Sequence, residues 1–272
     1  MTGIAGNDTV RERALRAGPV GAAALVAVLT WWTARAQEES DPSLTEVWEP
    51  TPPVVTPGED GAPPSDAIVL LGDDLSEWST WARRPKGSGP ADPAGWELES
   101  GVLTVVAGAG GIQTKRSFGS VQLHIEWRPP VMDGEGQRKG NSGVFLQERY
   151  EVQILDSFNN STYVNGQAGS VYKQYAPLVN AAKPPGEWQA YDIVFEAPQF
   201  DADGRLLRPA YVTLFHNGVL VQNHVELRGG TSNRGEPAYE AHGDAPLALQ
   251  DHGDRVSFRN IWVRELGGGG AE

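Results

Sequence analysis

Apolar and polar residues alternate with a period of two in several short stretches after residue 66. In YEVQIL at 150–155, the apolar positions would lie on one face of a strand, with Glu151 and Gln153 on the other face, about 6–7 Å apart. In LHIEWR at 123–128, the polar face carries His124, Glu126 and Arg128. Strands are predicted at 68–71, 102–106, 121–128, 144–147, 150–155, 191–195, 211–216, 219–221, 247–249 and 257–263.

Turn signals separate these runs. Asn217-Gly218 stands between two apolar runs and predicts a hairpin, because a type I′ turn needs a positive φ at both positions. Arg259-Asn260 interrupts the alternation of the last predicted strand, which indicates a bulge. DADG at 201–204 mimics the start of a calcium loop, but Val212 occupies the place of the loop's final glutamate, so a hairpin connection is preferred.

The predicted architecture is all-β. After residue 66, no ten-residue stretch shows a helical period that is free of Gly and Pro. Roughly ten to fourteen strands over about 200 residues favour two packed antiparallel sheets. The polar faces of 150–155 and 123–128 would then line a concave sheet that solvent can reach.

The first 36 residues are typical of a secretory signal. Arginines occur at 11–16, an apolar run follows at 17–32, and TARA at 33–36 offers the small residues that permit cleavage before Gln37. The apolar run is shorter than the roughly 20 residues that a spanning helix prefers. A retained anchor stays open, since Trp31 and Trp32 suit a membrane interface, and a buried core helix is the third alternative. As a signal or an anchor, the segment would place the chain in the periplasm, outside the cell or on its surface, with membrane contact only if it is retained.

Residues 37–66 form a predicted linker. They contain eight acidic residues, no basic residue and many prolines, which favour an open, solvated backbone. The folded domain is predicted at 67–266, and a flexible Gly-rich tail at 267–272.

Composition narrows the classes of function. The chain has 35 Asp and Glu against 22 Lys and Arg, a net charge of −13. Nucleic acid is therefore not expected as a partner, because there is no basic surface to replace counterions. The chain has no cysteine, which excludes disulfides, zinc–thiolate sites and thiol nucleophiles.

Five segments occur in order along the predicted domain. They are GNSGVFL at 140–146, YEVQILDS at 150–157, PPGEWQAYD at 184–192, LFHNGVLVQN at 214–223, and LQDHG at 249–253 followed by FRNI at 258–261. This set resembles the 3-keto-disaccharide hydrolase family over about residues 68–266. The resemblance implies a concanavalin-like jelly-roll sandwich that acts on 3-keto-glycosides. The implied reaction is elimination of the C1 aglycone, then hydration of the 2-hydroxy-glucal, with net hydrolysis.

That reaction sets clear requirements for the site. A ketone at C3 acidifies the hydrogen on C2, so a base can remove it and the enolate can expel the oxygen at C1. The site needs a base, a group that stabilises the enolate oxygen, and an acid for the leaving group. A divalent cation could supply the second role, held by carboxylate or imidazole ligands, and the sequence leaves this metal unassigned.

His252 and Glu151 are the first candidates for acid–base chemistry. His252 stands between polar neighbours just before a glycine and is predicted to be an acid–base group or a metal ligand. Glu151 would act as the base or, together with Gln153, hold sugar hydroxyls. Asp251 would orient the His252 imidazole or cap a turn, and both alternatives stay open.

Five more residues are candidates for substrate binding. Asn141 and Ser142 offer amide and hydroxyl contacts, although GNSG is also ordinary turn chemistry. Glu126 belongs to a polar strand face, where a cross-strand ion pair is the alternative. Trp188 would stack on a sugar or pack in the core. Arg259 lies at the predicted bulge, and bulges often re-aim side chains near sites.

Two other functions with carbohydrate partners stay open. One is a non-catalytic carbohydrate-binding module, because lectins share this kind of sandwich and a fold alone does not fix function. The other is a conventional glycoside hydrolase with two opposed carboxylates. The segment that resembles a Glu-x-Asp-x-x-Glu signature has Glu151, Gln153 and Asp156 at those three places, which counts against this alternative.

Overall fold

The computed structural model describes residues 41–59, 61–81 and 93–267. The chain divides into two compact units, Met1–Val54 and Val55–Glu272. In the first unit, the described residues 41–54 hold a 3-10 turn at Pro42–Thr45, where the Asp41 carboxylate accepts a hydrogen bond from the Ser43 amide. The predicted signal at 1–36, the first four linker residues and 268–272 of the predicted tail lie outside the described residues. Across the described part of the chain, no helix combines the length and the apolar character needed to cross a membrane.

The second unit consists almost entirely of β-strands. In its described residues these are β1 Ile68–Val69, β2 Trp78–Trp81, β3 Glu97–Glu99, β4 Val102–Thr104, β5 Gly111–Phe118, β6 Val121–Arg128, β7 Ser142–Leu146, β8 Tyr150–Ile154, β9 Gln189–Glu196, β10 Gln199–Phe200, β11 Leu206–Arg208, β12 Tyr211–His216, β13 Val219–Glu226, β14 Ala245–Leu249 and β15 Ser257–Glu265. Two 3-10 turns, Gly136–Arg138 and Val164–Gly166, interrupt the loops.

The strands pair antiparallel in two main sheets. The larger sheet has eight strands, in the order β13-β12-β9-β6-β15-β4-β3, with β1 also paired to β15. The smaller sheet has five strands, in the order β2-β5-β14-β7-β8. Strands β10 and β11 form a separate pair. The predicted all-β fold of antiparallel sheets is confirmed.

One large cluster of buried apolar side chains joins the two sheets. Trp127 and Tyr191 come from the eight-stranded sheet, whereas Tyr150 and Val152 come from the five-stranded sheet. Full burial of such a side chain stabilises the fold by about 1.5–3 kcal/mol, so the core fixes which face of each strand points inward. Because side chains alternate along a strand, Glu151 of β8 points away from the core, as predicted.

Both predicted hairpins are confirmed. Asn217 and Gly218 have φ values of 53° and 77° and join β12 to β13, as a type I′ turn requires. In the turn between β10 and β11, Asp201 Oδ1 accepts hydrogen bonds from the amides of Asp203 and Arg205. The DADG segment is therefore a hairpin connection and not part of a calcium loop.

The predicted bulge in the last strand is also confirmed. The register between β15 and β6 shifts between Arg259 and Trp262, and Asn260 has a φ of 47°. Other strands were missed because their patterns are weak. In β5 the three successive residues 115–117 are exposed, so the alternation breaks halfway along the strand.

Part of the predicted linker packs on the domain. The Gly61 carbonyl accepts hydrogen bonds from Asn260 Nδ2 at 2.8 Å and Trp262 Nε1 at 3.0 Å. The Asp66 carboxylate is paired with the Arg264 guanidinium at 2.6 Å. These contacts place Gly61 and Asp66 against the eight-stranded sheet, which corrects the expectation of a solvated backbone up to residue 66.

Candidate active site

A small polar cavity lies on the outer face of the five-stranded sheet. Its volume is about 190 Å³. The described residues that line it are Gln137, Asn141, Glu151, Gln153, Tyr172, Thr231, Ser232, Asn233, Gln250 and His252. The cavity therefore brings together Glu151, Gln153 and His252, the three residues on which the acid–base hypothesis depends.

Glu151 lies within β8, with 6% of its surface exposed. Its backbone amide donates to Thr231 Oγ1 at 3.0 Å, and that hydroxyl donates to the Arg149 carbonyl at 2.9 Å. These two bonds hold the loop around residue 231 beside the strand. The Glu151 side chain lies next to Gly143 of the neighbouring strand β7. The carboxylate is therefore largely withdrawn from solvent at the cavity wall.

Amide side chains form a hydrogen-bonded network in the cavity. Gln153 Nε2 donates to Gln137 Oε1 at 3.1 Å and to Asn141 Oδ1 at 3.3 Å. Asn141 Nδ2 donates to the Gln137 carbonyl at 2.7 Å. Gln137 Nε2 in turn donates to Thr162 Oγ1 at 3.1 Å and to the Gly166 carbonyl at 2.8 Å. The network fixes the positions of Gln153 and Asn141 before any ligand binds.

Two amide oxygens of the cavity have unused capacity. Gln153 Oε1 and Gln250 Oε1 are buried and accept no hydrogen bond from the described residues. A buried acceptor that stays unsatisfied costs about 1–3 kcal/mol. Both atoms therefore favour a ligand that donates hydrogen bonds, and sugar hydroxyls are such donors.

His252 lies in the loop between β14 and β15, and its side chain is exposed at the cavity. The preceding Asp251 anchors this loop. Asp251 Oδ2 accepts from the amides of Gly108 at 2.8 Å and Gly110 at 3.0 Å, and Oδ1 accepts from the Gly253 amide at 2.9 Å. The turn-capping alternative describes these contacts. Asp251 thus holds the backbone beside His252, and the described contacts of its carboxylate are with backbone amides and not with the imidazole.

The GNSG segment contributes only one of its two candidates to the cavity. Asn141 lines the cavity, whereas Ser142 is fully buried and its Oγ donates to the Gln250 carbonyl at 2.7 Å. Ser142 therefore fixes the backbone at Gln250 and does not have the predicted position for a sugar contact.

The other three substrate-binding candidates lie at the eight-stranded sheet, with Glu126 on β6, Arg259 on β15 and Trp188 directly before β9. Glu126 Oε2 accepts from Arg259 Nε at 2.6 Å, and Oε1 accepts from Asn260 Nδ2 at 3.0 Å. The Trp188 ring lies 4.2 Å from the Arg259 guanidinium and 4.6 Å from that of Arg128. Burial acts to raise the pKa of Glu126, but the hydrogen bonds from Asn260 and Arg259 hold this pKa below its usual value.

The predicted placement of Glu126, Trp188 and Arg259 in the sugar site is therefore corrected. Alternation tells which residues share a strand face but not which sheet the strand joins. Strand β6 belongs to the eight-stranded sheet and β8 to the five-stranded sheet, whose outer faces point in opposite directions. For Glu126, the cross-strand ion pair is the correct alternative.

A tyrosine pair stands at one wall of the cavity. The Tyr172 hydroxyl lies 2.8 Å from the Tyr163 hydroxyl. Burial, the hydrogen bond to Tyr172 and the nearby negative charge of Glu151 raise the pKa of Tyr163. Tyr163 therefore stays protonated at neutral pH and supports Tyr172 as a hydrogen-bonding group of the site.

Six lining residues were not singled out from the sequence: Gln137, Tyr172, Thr231, Ser232, Asn233 and Gln250. Two of them are close in sequence to predicted site residues, which could have indicated them. Gln250 stands two residues before His252, and Gln137 stands four residues before Asn141. The others come from loops that are distant in sequence and carry no periodic pattern.

Metal-ligating side chains are sparse around the cavity. The described ranges contain no group of three or more His, Cys, Asp or Glu side chains that could hold a metal ion. Among the described residues that line the cavity, Glu151 and His252 have titratable side chains that commonly ligate metals. The other lining residues offer neutral amides and hydroxyls. This set does not fit a cation held tightly by protein carboxylates.

An antiparallel sandwich with a small polar cavity on one sheet defines a class that includes many carbohydrate-active and carbohydrate-binding proteins. The family is shown by sequence: the chain belongs to the 3-keto-alpha-glucoside-1,2-lyase-like domain family, which matches residues 66–264. The predicted family resemblance is confirmed.

Solved structures agree with this family. One, of a proposed glycosyl hydrolase from Parabacteroides distasonis ATCC 8503, is 49% identical in sequence, with a TM-score of 0.77 over 83% of this chain and 97% of that chain. A second proposed glycosyl hydrolase from the same organism is 21% identical, with a TM-score of 0.52 over 74% of this chain and 94% of that chain, and shows the fold alone. Among curated proteins, none matches the chain. Family and fold together support a glycoside-processing enzyme and agree with the expected jelly-roll sandwich.

Proposed function

We propose that the protein cleaves 3-keto-glycosides by elimination of the C1 substituent and hydration of the resulting 2-hydroxy-glucal. The observation that carries the proposal is the shared cavity: Glu151 and His252 line it together with amide oxygens that accept no hydrogen bond from the described residues. Family membership supports the same chemistry.

Glu151 is the proposed base for the elimination. Its carboxylate takes the proton from C2, and the electron pair of the C2–H bond forms the enolate of the C3 ketone. When the carbonyl re-forms, a double bond forms between C1 and C2 and the C1–O bond breaks. His252, as the imidazolium, gives its proton to the departing oxygen. The exposed position of His252 suits a proton donor that must meet a leaving group near solvent.

The hydration reverses the two roles. Neutral His252 takes a proton from water, whose oxygen adds to C1 of the 2-hydroxy-glucal, and protonated Glu151 returns a proton to C2. Both side chains regain their starting states, so no oxidant, reductant or further reactant is needed. The Tyr172 hydroxyl, supported by Tyr163, is the proposed hydrogen-bond donor to the enolate oxygen.

Substrate pairs that differ only at C3 test the proposal. The purified chain should release the nitrophenol from a nitrophenyl 3-keto-glucoside, whereas the parent nitrophenyl glucoside should stay intact, because its C2 hydrogen is not acidic. Equal cleavage of both substrates would overturn the elimination and favour a conventional glycosidase. Binding of both sugars without turnover of either would favour the carbohydrate-binding module.

The cavity itself disfavours the conventional glycosidase. Such an enzyme needs two carboxylates flanking the scissile bond. Among the described residues that line the cavity, Glu151 is the single carboxylate. Asp156, the other acid in that segment, is buried and paired with Lys139 at 3.1 Å.

We also propose that the enzyme works outside the cytoplasm. The support is the secretory pattern of residues 1–36. Fractionation of cells that express the full chain tests this, and recovery of the protein only in the cytoplasm would contradict it.

A further inference from the structure

A second cavity lies on the outer face of the eight-stranded sheet, opposite the candidate active site. Its volume is about 460 Å³, within the range of about 300–1,000 Å³ that is usual for small-molecule sites. The described residues that line it are Thr104, Arg128 and Ser257 on strands, together with Arg255, Gly186 and residues 129–131. None of these lines the active-site cavity, so the two cavities are separate.

Three of these side chains form a row across neighbouring strands. Ser257 of β15 is paired with Thr104 of β4 on one side and with Arg128 of β6 on the other. Adjacent strands are about 4.7–4.9 Å apart, so about 10 Å separates the backbones of Thr104 and Arg128. Thr104 Oγ1 lies 3.1 Å from Ser257 Oγ, and either hydroxyl can donate to the other. This bond uses one hydroxyl hydrogen of the pair and leaves the other available to a ligand.

The Arg128 guanidinium is oriented by an aromatic ring and not by an acid. Its central carbon lies 4.6 Å from the centre of the Trp188 ring. Stacking of this kind uses the flat face of the guanidinium, and the N–H groups point outwards in its plane. Among the described residues, none accepts a hydrogen bond from this guanidinium or forms an ion pair with it. Arg128 therefore presents a positive charge whose donors are available to a ligand.

The other two arginines of this region are already paired with acids. Arg255 Nη2 lies 2.6 Å from Glu97 Oε2, and Arg259 Nη2 lies 2.6 Å from Glu126 Oε2. Glu97 is paired in register with Thr104, so a carboxylate stands beyond the far end of the row from Arg128. A negatively charged ligand is therefore attracted to the Arg128 end of the cavity and repelled from the Glu97 end.

One unpaired guanidinium beside two hydroxyls matches a carboxylic acid that also carries hydroxyl groups. The planar fork of an arginine binds a carboxylate through two parallel N–H···O bonds. Serine and threonine hydroxyls both donate to and accept from the hydroxyls of a ligand. A phosphate monoester carries a charge of about −1.5 to −2 at neutral pH, so it would need a second unpaired cation. An acid without hydroxyls would leave the Thr104–Ser257 pair without a partner.

We propose that the cavity lined by Arg128, Ser257 and Thr104 binds a sugar acid, such as a uronate, separately from the active site. Arg128 holds the carboxylate, and the Thr104–Ser257 pair holds ring hydroxyls. The inference goes beyond the proposed function and does not depend on it, because a neutral 3-keto-glycoside has no carboxylate for Arg128. Since the two sheets face in opposite directions, a bound acid leaves the active-site cavity open.

Calorimetry with the wild-type chain tests the class of ligand and needs no variant. Glucuronate should bind about tenfold or more tightly than glucose, which lacks the carboxylate, and than acetate, which lacks the hydroxyls. Its affinity should fall as salt is added, because the ion pair with Arg128 is partly exposed to solvent. Equal affinities for glucuronate and glucose would overturn the proposal. Tighter binding of glucose 6-phosphate than of glucuronate would overturn the assignment to a carboxylate.

Three variants locate the site. Arg128→Gln should remove the preference for glucuronate over glucose, and Ser257→Ala should weaken glucuronate binding while leaving acetate binding unchanged. The exposed Arg205, between β10 and β11, provides the matched control: Arg205→Gln should keep the wild-type affinities. All three should cleave 3-keto-trehalose at the wild-type rate, because these residues do not line the active-site cavity. A folded Arg128→Gln variant that keeps the preference would overturn the proposal, whereas a wild type that binds glucuronate but cleaves no keto-glycoside would overturn only the proposed function.

Discussion

A Cβ atom placed on Gly143 would lie 2.7 Å from Glu151 Oε1 and 3.1 Å from Glu151 Cγ. Real Cβ atoms do not approach other heavy atoms as closely as 2.7 Å, so the Glu151 carboxylate occupies space that any other residue at 143 would fill. The φ of Gly143 is not in the left-handed region, and the need for glycine is therefore one of space and not of backbone conformation. Strand β7 thus determines where the carboxylate on β8 can lie.

This relationship predicts the effect of Gly143→Ala. The added methyl group should displace the carboxylate and lower kcat about tenfold or more, which is about 1.4 kcal/mol of the barrier, with a smaller change in KM. Steady-state kinetics with 3-keto-trehalose measures both constants. Gly72→Ala is the control, since a Cβ at Gly72 meets no atom within 4 Å. A folded Gly143→Ala variant with wild-type kcat would show that the position of Glu151 is unimportant.

The proposed role of His252 predicts a dependence on the leaving group. His252→Gln should slow release of a sugar or of methanol about 100-fold, because these oxygens need a proton as they depart. Release of nitrophenol should slow much less, because nitrophenolate departs without protonation. Rates for the two kinds of substrate measure this difference. His224→Gln, at an exposed histidine on β13, should affect neither. An equal loss of rate for both kinds of substrate would show that His252 does not protonate the leaving group.

The position of Trp188 and Arg259 at the eight-stranded sheet predicts that their loss leaves substrate binding unchanged. Trp188→Ala and Arg259→Ala change groups on the sheet opposite the cavity, so KM for 3-keto-trehalose should stay within about twofold of the wild type. Both variants should lower the midpoint of thermal unfolding, since each loses the stacking between the Trp188 ring and the Arg259 guanidinium. A tenfold rise in KM with unchanged stability would place a sugar contact on this sheet after all.

A buried histidine predicts how stability depends on pH. Burial, followed by the charge of Lys183, lowers the pKa of His216 to about 4. In the unfolded chain the pKa of His216 is about 6.5. Between pH 6.5 and pH 4 the unfolded state therefore binds a proton that the folded state does not bind. The stability of the fold falls as the pH drops through this range. By pH 4.5 the loss from this group should be about 2–3 kcal/mol.

Urea unfolding at pH 7 and pH 4.5 measures this contribution. In His216→Gln, the decrease in unfolding free energy between the two values should be about 2–3 kcal/mol smaller than in the wild type. The exposed His224 again serves as the control, and His224→Gln should retain the wild-type decrease. The same decrease in all three proteins would assign the acid sensitivity to other groups.

The sequence predicts the local geometry of the site well. Alternation in 150–155 correctly places Glu151 and Gln153 on one face, because the buried positions 150, 152 and 154 are strongly apolar. The Asn217-Gly218 hairpin is equally well predicted, because few other residue pairs tolerate two positive φ values.

Long-range assembly is what the sequence does not predict. Glu126 and Glu151 each lie on an alternating polar face, yet their strands join different sheets, and pairing between distant strands decides this. The contacts of Asp251 with Gly108 and Gly110 join segments more than 140 residues apart in sequence. Such contacts leave no periodic signal, so the sequence alone does not distinguish a turn cap from an imidazole partner at Asp251.

The central claim is that Glu151 removes the proton from C2 of a 3-keto-glycoside. Turnover of 3-keto-trehalose in D₂O, followed by NMR of the released 3-keto-glucose, tests it most directly. Incubation without enzyme corrects for spontaneous exchange, and Glu187→Gln, at an exposed glutamate, is the matched control for Glu151→Gln. The proton on Glu151 exchanges with D₂O once the leaving group has departed and water has entered the cavity, so we expect deuterium at C2 of the wild-type product, and turnover about 100-fold slower in Glu151→Gln. A folded Glu151→Gln variant with the wild-type rate and the wild-type deuterium content would contradict the account.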